Sequence, residues 1–200
     1  PRRVPVPILR PPLALCKSTG VTLDRGRRVV MVPDRGGVAD ALAQQLKAVG
    51  VEVLRIEGAP DAEELAACLR KWVAAGPLHG VYWLPALDKE GRLDQMNTAA
   101  WREAVRVRLK ALYTTMRCLY EQVAQPGTFL VSATRLGGQH GYDEAGAVAP
   151  LGGAVVGFTK TYKRERPDAL VKAVDFAEQG AEEIAAALID ETLHDPGAVE

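Results

Sequence analysis

The chain lacks most of the residues that would point to a metal, a disulfide framework or a membrane. Its 3 cysteines (Cys16, Cys68, Cys118) and 3 histidines (His79, His140, His194) are scattered and stand at no ligand spacing. Neither a zinc centre nor paired disulfides is therefore expected, and no metal site is assigned. No apolar run approaches the roughly 18 residues a membrane helix needs, and the opening PRRVPVPILRPP is not ordered like a signal peptide. Net charge is also missing: 25 Lys plus Arg balance 25 Asp plus Glu. No global field draws the chain to nucleic acid or to an anionic membrane. Isolated thiols suit a reducing, cytoplasmic compartment. Aromatics are 6% of the 200 residues, yet 48% of the chain is hydrophobic, enough to bury a core.

Residues 1–27 precede any periodic pattern and are proline-rich. They read as a linker, with PLALC a candidate edge strand. A regular alternation fills residues 28–200. RVVMVP (28–33) is an apolar strand, VADALAQQLKAVG (38–50) an amphipathic helix closed by Gly50, and VEVLRI (51–56) a second strand. A helix over 61–76, with Asp61 as its cap, leads to the strand GVYWLPAL (80–87). Val105, Leu109, Leu112, Met116, Leu119 and Val123 stand at helical spacing and predict one long helix over 97–124, started by Asn97 or Thr98. Then follow a strand (127–134), a small-residue helix (151–165), a strand (170–176) and a helix (180–194) stopped by Asp195-Pro196-Gly197. This order predicts an α/β, Rossmann-like, doubly wound and mostly parallel sheet with helices on both faces.

The most telling stretch is 142–166, YDEAGAVAPLGGAVVGFTKTYKRER. Gly153, Ala154, Val155, Val156, Gly157, Phe158, Thr159 and Lys160 resemble the continuation of the catalytic helix of short-chain dehydrogenases, in which a strand-end Ser precedes Tyr-x-x-x-Lys. The resemblance puts Val148 at the Tyr and Gly152 at the Lys. Carbonyl reduction needs a phenol to protonate the developing alkoxide and an ammonium to lower that phenol's pKa; Val148 and Gly152 supply neither. Ser132 in FLVSAT keeps the serine position. Arg108, in VRLKA, stands where the family's Val-Asn-Leu-Lys-Gly has Asn.

The cofactor turn is altered too. A dinucleotide site needs glycines after the first strand so that the backbone can approach the pyrophosphate, and the family uses Thr-Gly-x-x-x-Gly-x-Gly. Here the loop is Pro33, Asp34, Arg35, Gly36, Gly37, Val38, Ala39. Asp34 would set a carboxylate against a phosphate, and Ala39 replaces the last glycine. The reading is a strand-to-helix turn without cofactor; Gly36 and Gly37 are the candidate cofactor residues if one binds.

APLGGAVVGFTKTYKRERPDALVKAVDF (149–176), with LRPPLA and HDPGAVE at either end, resembles the non-catalytic structural half of the ketoreductase in type I polyketide and polyunsaturated fatty acid synthases. The resemblance implies a half without catalytic residues or cofactor of its own, partnered in the same polypeptide by a catalytic subdomain that holds NADPH. That subdomain reduces β-ketoacyl groups borne on an acyl carrier protein. Two basic clusters, Arg102, Arg106, Arg108, Lys110 and Lys160, Lys163, Arg164, Arg166, are candidates to steer an acidic carrier protein. The alternative is an active NADPH-dependent β-ketoacyl reductase with a displaced site, Ser132 and Tyr142 with Lys160 or Lys163. Trp72, Trp83 and Trp101 are expected in the core or at a subunit contact.

Overall fold

Apolar runs of four to seven residues separated by amphipathic stretches dictate strands that must be covered on both faces. The structure, a computed structural model, describes residues 8–91, 93–142, 147 and 149–199. Its strands are β1 (Arg28–Val32), β2 (Glu52–Arg55), β3 (Gly80–Ala86), β4 (Phe129–Thr134) and β5 (Leu170–Asp175). They lie in the order β2-β1-β3-β4-β5, and every neighbouring pair is parallel. The helices are α1 (Val38–Ala48), α2 (Ala62–Ala74), α3 (Thr98–Val105), α4 (Ala111–Cys118), α5 (Gly152–Glu165) and α6 (Ala181–Leu193).

Strand alternation sorts the core into two layers. Met31, Tyr82 and Val131 pack with Leu42 and Leu46 of α1 and Ile184 and Leu188 of α6. Val30, Val81, Trp83 and Leu130 face the other way, against Leu65 and Leu69 of α2, Leu112 and Met116 of α4, and Val155 and Tyr162 of α5. The chain reverses its direction of travel across the sheet between β1 and β3, the switch point outside which open parallel sheets place their binding crevice, at the carboxyl ends of the strands. Trp83 is fully buried, whereas Trp101 is exposed.

The caps form as the sequence dictates. The Asp61 carboxylate accepts from Glu63 N and Glu64 N while Glu64 accepts from Asp61 N, and Asn97 accepts from Ala100 N. The single helix expected over 97–124 is instead broken. A π-helical turn over Arg106–Lys110 separates α3 from α4, and α4 stops at Cys118. Leu119 and Val123 are still buried, in turns, so their spacing reported burial rather than helix. The Val123 carbonyl turns away to accept from the Tyr162 hydroxyl at 2.8 Å.

PLALC makes a 3-10 turn (Leu13–Leu15) rather than an edge strand, because Pro11 and Pro12 carry no N–H for a ladder. The segment is nevertheless tied down. Ser18 bridges His194, Thr19 N donates to the Leu193 carbonyl, Asp195 N donates to the Lys17 carbonyl, and Arg10 pairs with Glu191 and Asp195. No helix among the described residues is long and apolar enough to cross a membrane.

Gly80, at the start of β3, has the Phe129 ring directly over it. A Cβ built there would stand 2.1 Å from Phe129 Cε1. Because β3 is central and the ring is enclosed, Gly80→Ala is expected to cost about 2–3 kcal/mol through overpacking, read by denaturant unfolding. An unchanged midpoint would show that the ring is free to move aside.

Candidate functional site

The crevice beside the switch point is where this architecture binds ligands. The β1–α1 turn should present the free N–H groups of α1 to an anion. Gly37 makes the turn with φ +90°, but the Asp34 carboxylate has folded back onto the donors. Its Oδ2 accepts from Gly36 N at 2.8 Å and Val38 N at 3.2 Å, and its Oδ1 accepts from Ala39 N at 2.8 Å. Asp34 is buried. The sequence suggested a carboxylate that repels a phosphate; the geometry is of one that stands in the phosphate's place.

Two more strand-end carboxylates behave alike. Asp88, just beyond β3, accepts from Arg35 N at 2.8 Å and so pins the turn to the next strand. Burial pushes the Asp88 carboxyl above its usual range, and the hydrogen bond from Arg35 only partly offsets this. Asp175, closing β5, accepts from the Thr134 hydroxyl and Leu136 N through Oδ1, and from Gly138 N and His140 N through Oδ2, all at 2.6–2.9 Å. It holds the glycine-rich loop after β4, where His140 adopts φ +51°. Carboxylates of the chain thus take up backbone donors at the carboxyl ends of β1, β3 and β5.

Arg108 and Glu90 meet beyond the carboxyl end of β3. Arg108 Nε lies 3.6 Å from Glu90 Oε2, and both side chains are at least nine-tenths buried. Glu90 Oε1 accepts from Leu151 N at the start of α5, and Arg108 Nη2 donates to the Asp88 carbonyl. The π-turn that carries Arg108 is fixed by Trp83, whose Nε1 donates to the Arg108 carbonyl at 3.0 Å. A guanidinium in the Asn position therefore forms a structural strut between β3, the π-turn and α5. Arg106, one turn before Lys110, donates to the Ala59 and Pro60 carbonyls beyond β2 and narrows that side of the crevice.

The displaced catalytic set comes together only in part. Tyr142, 63% exposed, and Lys160 line one depression of about 370 Å³ with Gly153, Val156 and Gly157. Ser132 is not among them. It is fully buried, and its hydroxyl lies 2.9 Å from that of Thr159. Since Thr159 donates to the Val155 carbonyl, Ser132 is the donor of the pair and its proton is committed to packing. Lys163 is committed as well, to the Pro167 and Ala169 carbonyls. Val148 lies outside the described residues. At Gly152 a Cβ would meet Thr134 Cβ at 3.2 Å and Leu136 Cγ at 3.3 Å, so the lysine position has no room for a side chain without movement of the loop after β4.

The histidines are dispersed. His79 Nδ1 accepts from Arg28 N at the amino end of the sheet, and burial lowers its pKa; His194 borders the N-terminal segment. Among the described residues no group of His, Cys, Asp and Glu could hold a metal, and the three cysteines are free thiols. The basic clusters are largely consumed internally: Arg108 by Glu90, Arg106 by Glu103 and two carbonyls, and Arg166 by Glu121 and the Tyr120 ring. Arg102, Lys110 and Arg164 stay exposed.

Reading the sequence missed Asp175, the Glu90–Arg108 strut and a buried pair, Lys172–Glu191. A lysine at the centre of the apolar run LVKAVDF was the available signal for the last, since a strand covered on both faces cannot leave an ammonium unpaired. Nothing local marks Asp175 or Glu90, whose donors come from loops distant in sequence.

The sheet order, the helices on both faces and the switch-point crevice are those of a known architecture. A short-chain dehydrogenase/reductase of the glucose/ribitol dehydrogenase type from Brucella melitensis superposes with TM-score 0.68 at 15% identity, covering 84% of this chain and 89% of that one. The chain has the short-chain dehydrogenase fold. A short-chain dehydrogenase from Burkholderia cenocepacia, in complex with NADP, matches with TM-score 0.68 at 16% identity over 88% of this chain and 94% of that one. A Brucella ovis oxidoreductase in complex with a partially ordered NAD gives TM-score 0.64 at 17% identity, with 83% and 92% covered. No protein-family model matches the chain, and no curated protein does. The residues at the turn do not fit a dinucleotide, because the Asp34 carboxylate already holds the donors that its pyrophosphate would take.

Proposed function

We propose that this chain is the non-catalytic structural half of a ketoreductase in a type I polyketide or polyunsaturated fatty acid synthase. In that role it braces a catalytic half that uses NADPH to reduce β-ketoacyl groups on an acyl carrier protein. The observation that carries the reading is the Asp34 carboxylate bound to three N–H groups of the cofactor turn. A fold that keeps both of its core layers while satisfying its own ligand donors retains what a scaffold needs and gives up what a reductase needs. The exposed Arg102, Lys110 and Arg164 offer a reduced basic surface for an acidic carrier protein.

The brace predicts dependence of the partner. A catalytic half supplied as a separate chain is expected to be more soluble and more active when co-expressed with residues 1–200. The isolated chain should neither bind NADPH in calorimetry nor reduce a β-ketoacyl thioester. Equal activity and melting temperature of the catalytic half with and without this chain would reject the brace.

A second reading has one observation in its favour, the shared depression of Tyr142 and Lys160. There Tyr142 would donate the proton in NADPH-dependent reduction and Lys160 would lower its pKa. Ser132 is too deeply buried to take part. Turnover by the isolated chain that vanishes in Tyr142→Phe would establish this reading in place of the brace.

A further inference from the structure

The segment that precedes the sheet is held to the domain without burying a residue. From residue 8 to residue 20 none is buried, and Val21 is the first of the described chain that is. Ile8, Leu9 and Leu15, the apolar side chains that could have packed, are 90%, 99% and 76% exposed. What fastens the segment is polar and lies at the C-terminal end of α6. Arg10 Nη1 donates to Glu191 Oε2 at 3.1 Å and to Asp195 Oδ2 at 3.3 Å, and its Nη2 pairs with Glu191 Oε1. Further along, Thr19 N donates to the Leu193 carbonyl at 3.0 Å and the Thr19 hydroxyl to the Thr192 carbonyl at 2.7 Å. Asp195 reaches both parts of the segment, its carboxylate to Arg10 and its N–H to the Lys17 carbonyl. It does so from a left-handed backbone with φ +58°, a conformation that a non-glycine residue keeps only where its surroundings hold it.

We propose that residues 8–19 are a clasp, locked by Arg10, that opens and closes on the folded domain independently of global unfolding. Burial of apolar surface is what ties an element to the cooperative core. A segment that buries none belongs to the low-stability end of the structure and comes away by itself. The lock is also arranged to release at small cost. When Arg10 leaves, Glu191 keeps Lys172, whose Nζ donates to its Oε2 at 2.9 Å, so no buried charge is stranded. The Arg10 side chain, 39% exposed while bound, passes into water. Opening has a structural consequence. Among the described strands β5 has a neighbour on one side only, and along its outer edge runs a trough of about 440 Å³ lined by Ile8, Arg10, Ala173, Val174 and Val199. The Val199 carbonyl takes the Ala173 N–H there. The closed clasp walls the trough and shields a strand edge, and the open clasp uncovers both. The proposal is independent of the brace reading: the brace is judged by the activity of a catalytic half, and the clasp by amide exchange within this chain alone.

Hydrogen–deuterium exchange of residues 1–200 at neutral pH, read by mass spectrometry, tests the clasp. In wild type, residues 13–20 are expected to exchange faster than β5 and slower than an unstructured chain. Arg10→Ala should speed their exchange about tenfold, since charge-assisted bonds to two carboxylates are lost. Exchange over β5, Ala173 included, and the melting temperature should stay as in wild type. Arg10→Lys keeps the charge but not the planar fork that reaches both carboxylates, and should fall between the two. Sodium chloride at about 1 M, where the screening length is about 3 Å, should speed exchange of residues 13–20 in wild type and leave Arg10→Ala unchanged. The salt response is the arm that a segment held by packing would fail. Wild-type residues 13–20 exchanging as slowly as β5, or Arg10→Ala exchanging there as wild type does, would overturn the proposal. So would an Arg10→Ala variant in which β5 exchange rises and the melting temperature falls together with the segment, because the segment would then be part of the cooperative core.

Discussion

Glu191→Gln is expected to lower the stability of the domain by about 3 kcal/mol at neutral pH, roughly 6–12 °C in melting temperature for a chain of this size. Lys172 projects from β5 and is 1% exposed; its ammonium donates to Glu191 Oε2 at 2.9 Å and to the His194 carbonyl at 2.7 Å. Arg10 pairs with the same carboxylate from the N-terminal segment. Removing the carboxylate's charge leaves a buried ammonium without its counter-ion, the costly way to break such a pair. The pH dependence separates charge from packing. Burial pushes the Glu191 carboxyl up, but hydrogen bonds from Arg10 and Lys172 together outweigh it and hold the group below its ordinary value of 4.5. A carboxyl depressed in the folded state contributes stability that is fully present above its unfolded pKa and is lost as the pH falls through the folded one. Wild type and Glu191→Gln should therefore differ fully at neutral pH and converge only once the pH has fallen through the depressed folded value, where the wild-type carboxyl is itself protonated. A gap that stays constant with pH would assign the loss to packing. Replacing both partners by apolar groups, Lys172→Met with Glu191→Leu, should recover most of the stability, since no buried ammonium is left unpaired and the part-exposed Arg10 keeps Asp195.

The same cluster explains why residues 8–19 are ordered against the domain. Two prolines and one arginine describe a linker when read alone, and only the positions of Glu191 and Asp195 in space turn Arg10 into an anchor. The order of strands and helices was legible because apolar runs and amphipathic periods are local properties, and the sheet follows from their alternation. The break in the long helix was not. Val105 to Val123 keep a helical spacing through the π-turn, and what forces the turn is Trp83, a residue of β3 that claims the Arg108 carbonyl. The candidate site divides in the same way. The loss of glycine at the turn was visible in the sequence, and so was the basic residue at 108. That Arg108 is buried against Glu90 and that Ser132 bonds to Thr159 are consequences of packing between elements more than 15 residues apart. The neighbouring short-chain dehydrogenase structures fix the architecture, and the side chains in the crevice decide what it can hold.

Asp34→Gly tests that decision most directly. By sequence the change brings the turn closer to a glycine-rich phosphate loop, and in that view it should admit a cofactor. By geometry it removes an internal anion from three N–H groups at a helix start: Gly36 N, Val38 N and Ala39 N. Loss of a single capping side chain costs about 1 kcal/mol, and charged, buried acceptors cost more. The variant is therefore expected to lose about 2–4 kcal/mol in denaturant unfolding and to gain no measurable NADPH affinity in calorimetry. Three features keep the cofactor out after Asp34 is gone. Arg35 N stays bound to Asp88, pinning the turn against β3. The Arg108–Glu90 strut still stands beyond β3, and at Gly152 a Cβ would crowd Thr134 and Leu136, so the lysine that would hold a ribose fits only if they shift. Asp34→Asn refines the result, since its amide oxygen can still accept from part of the turn and should keep about half of the lost stability. NADPH binding by Asp34→Gly in the micromolar range would show that a single carboxylate closes an otherwise intact nucleotide site, and the chain would then be a blocked reductase instead of a brace.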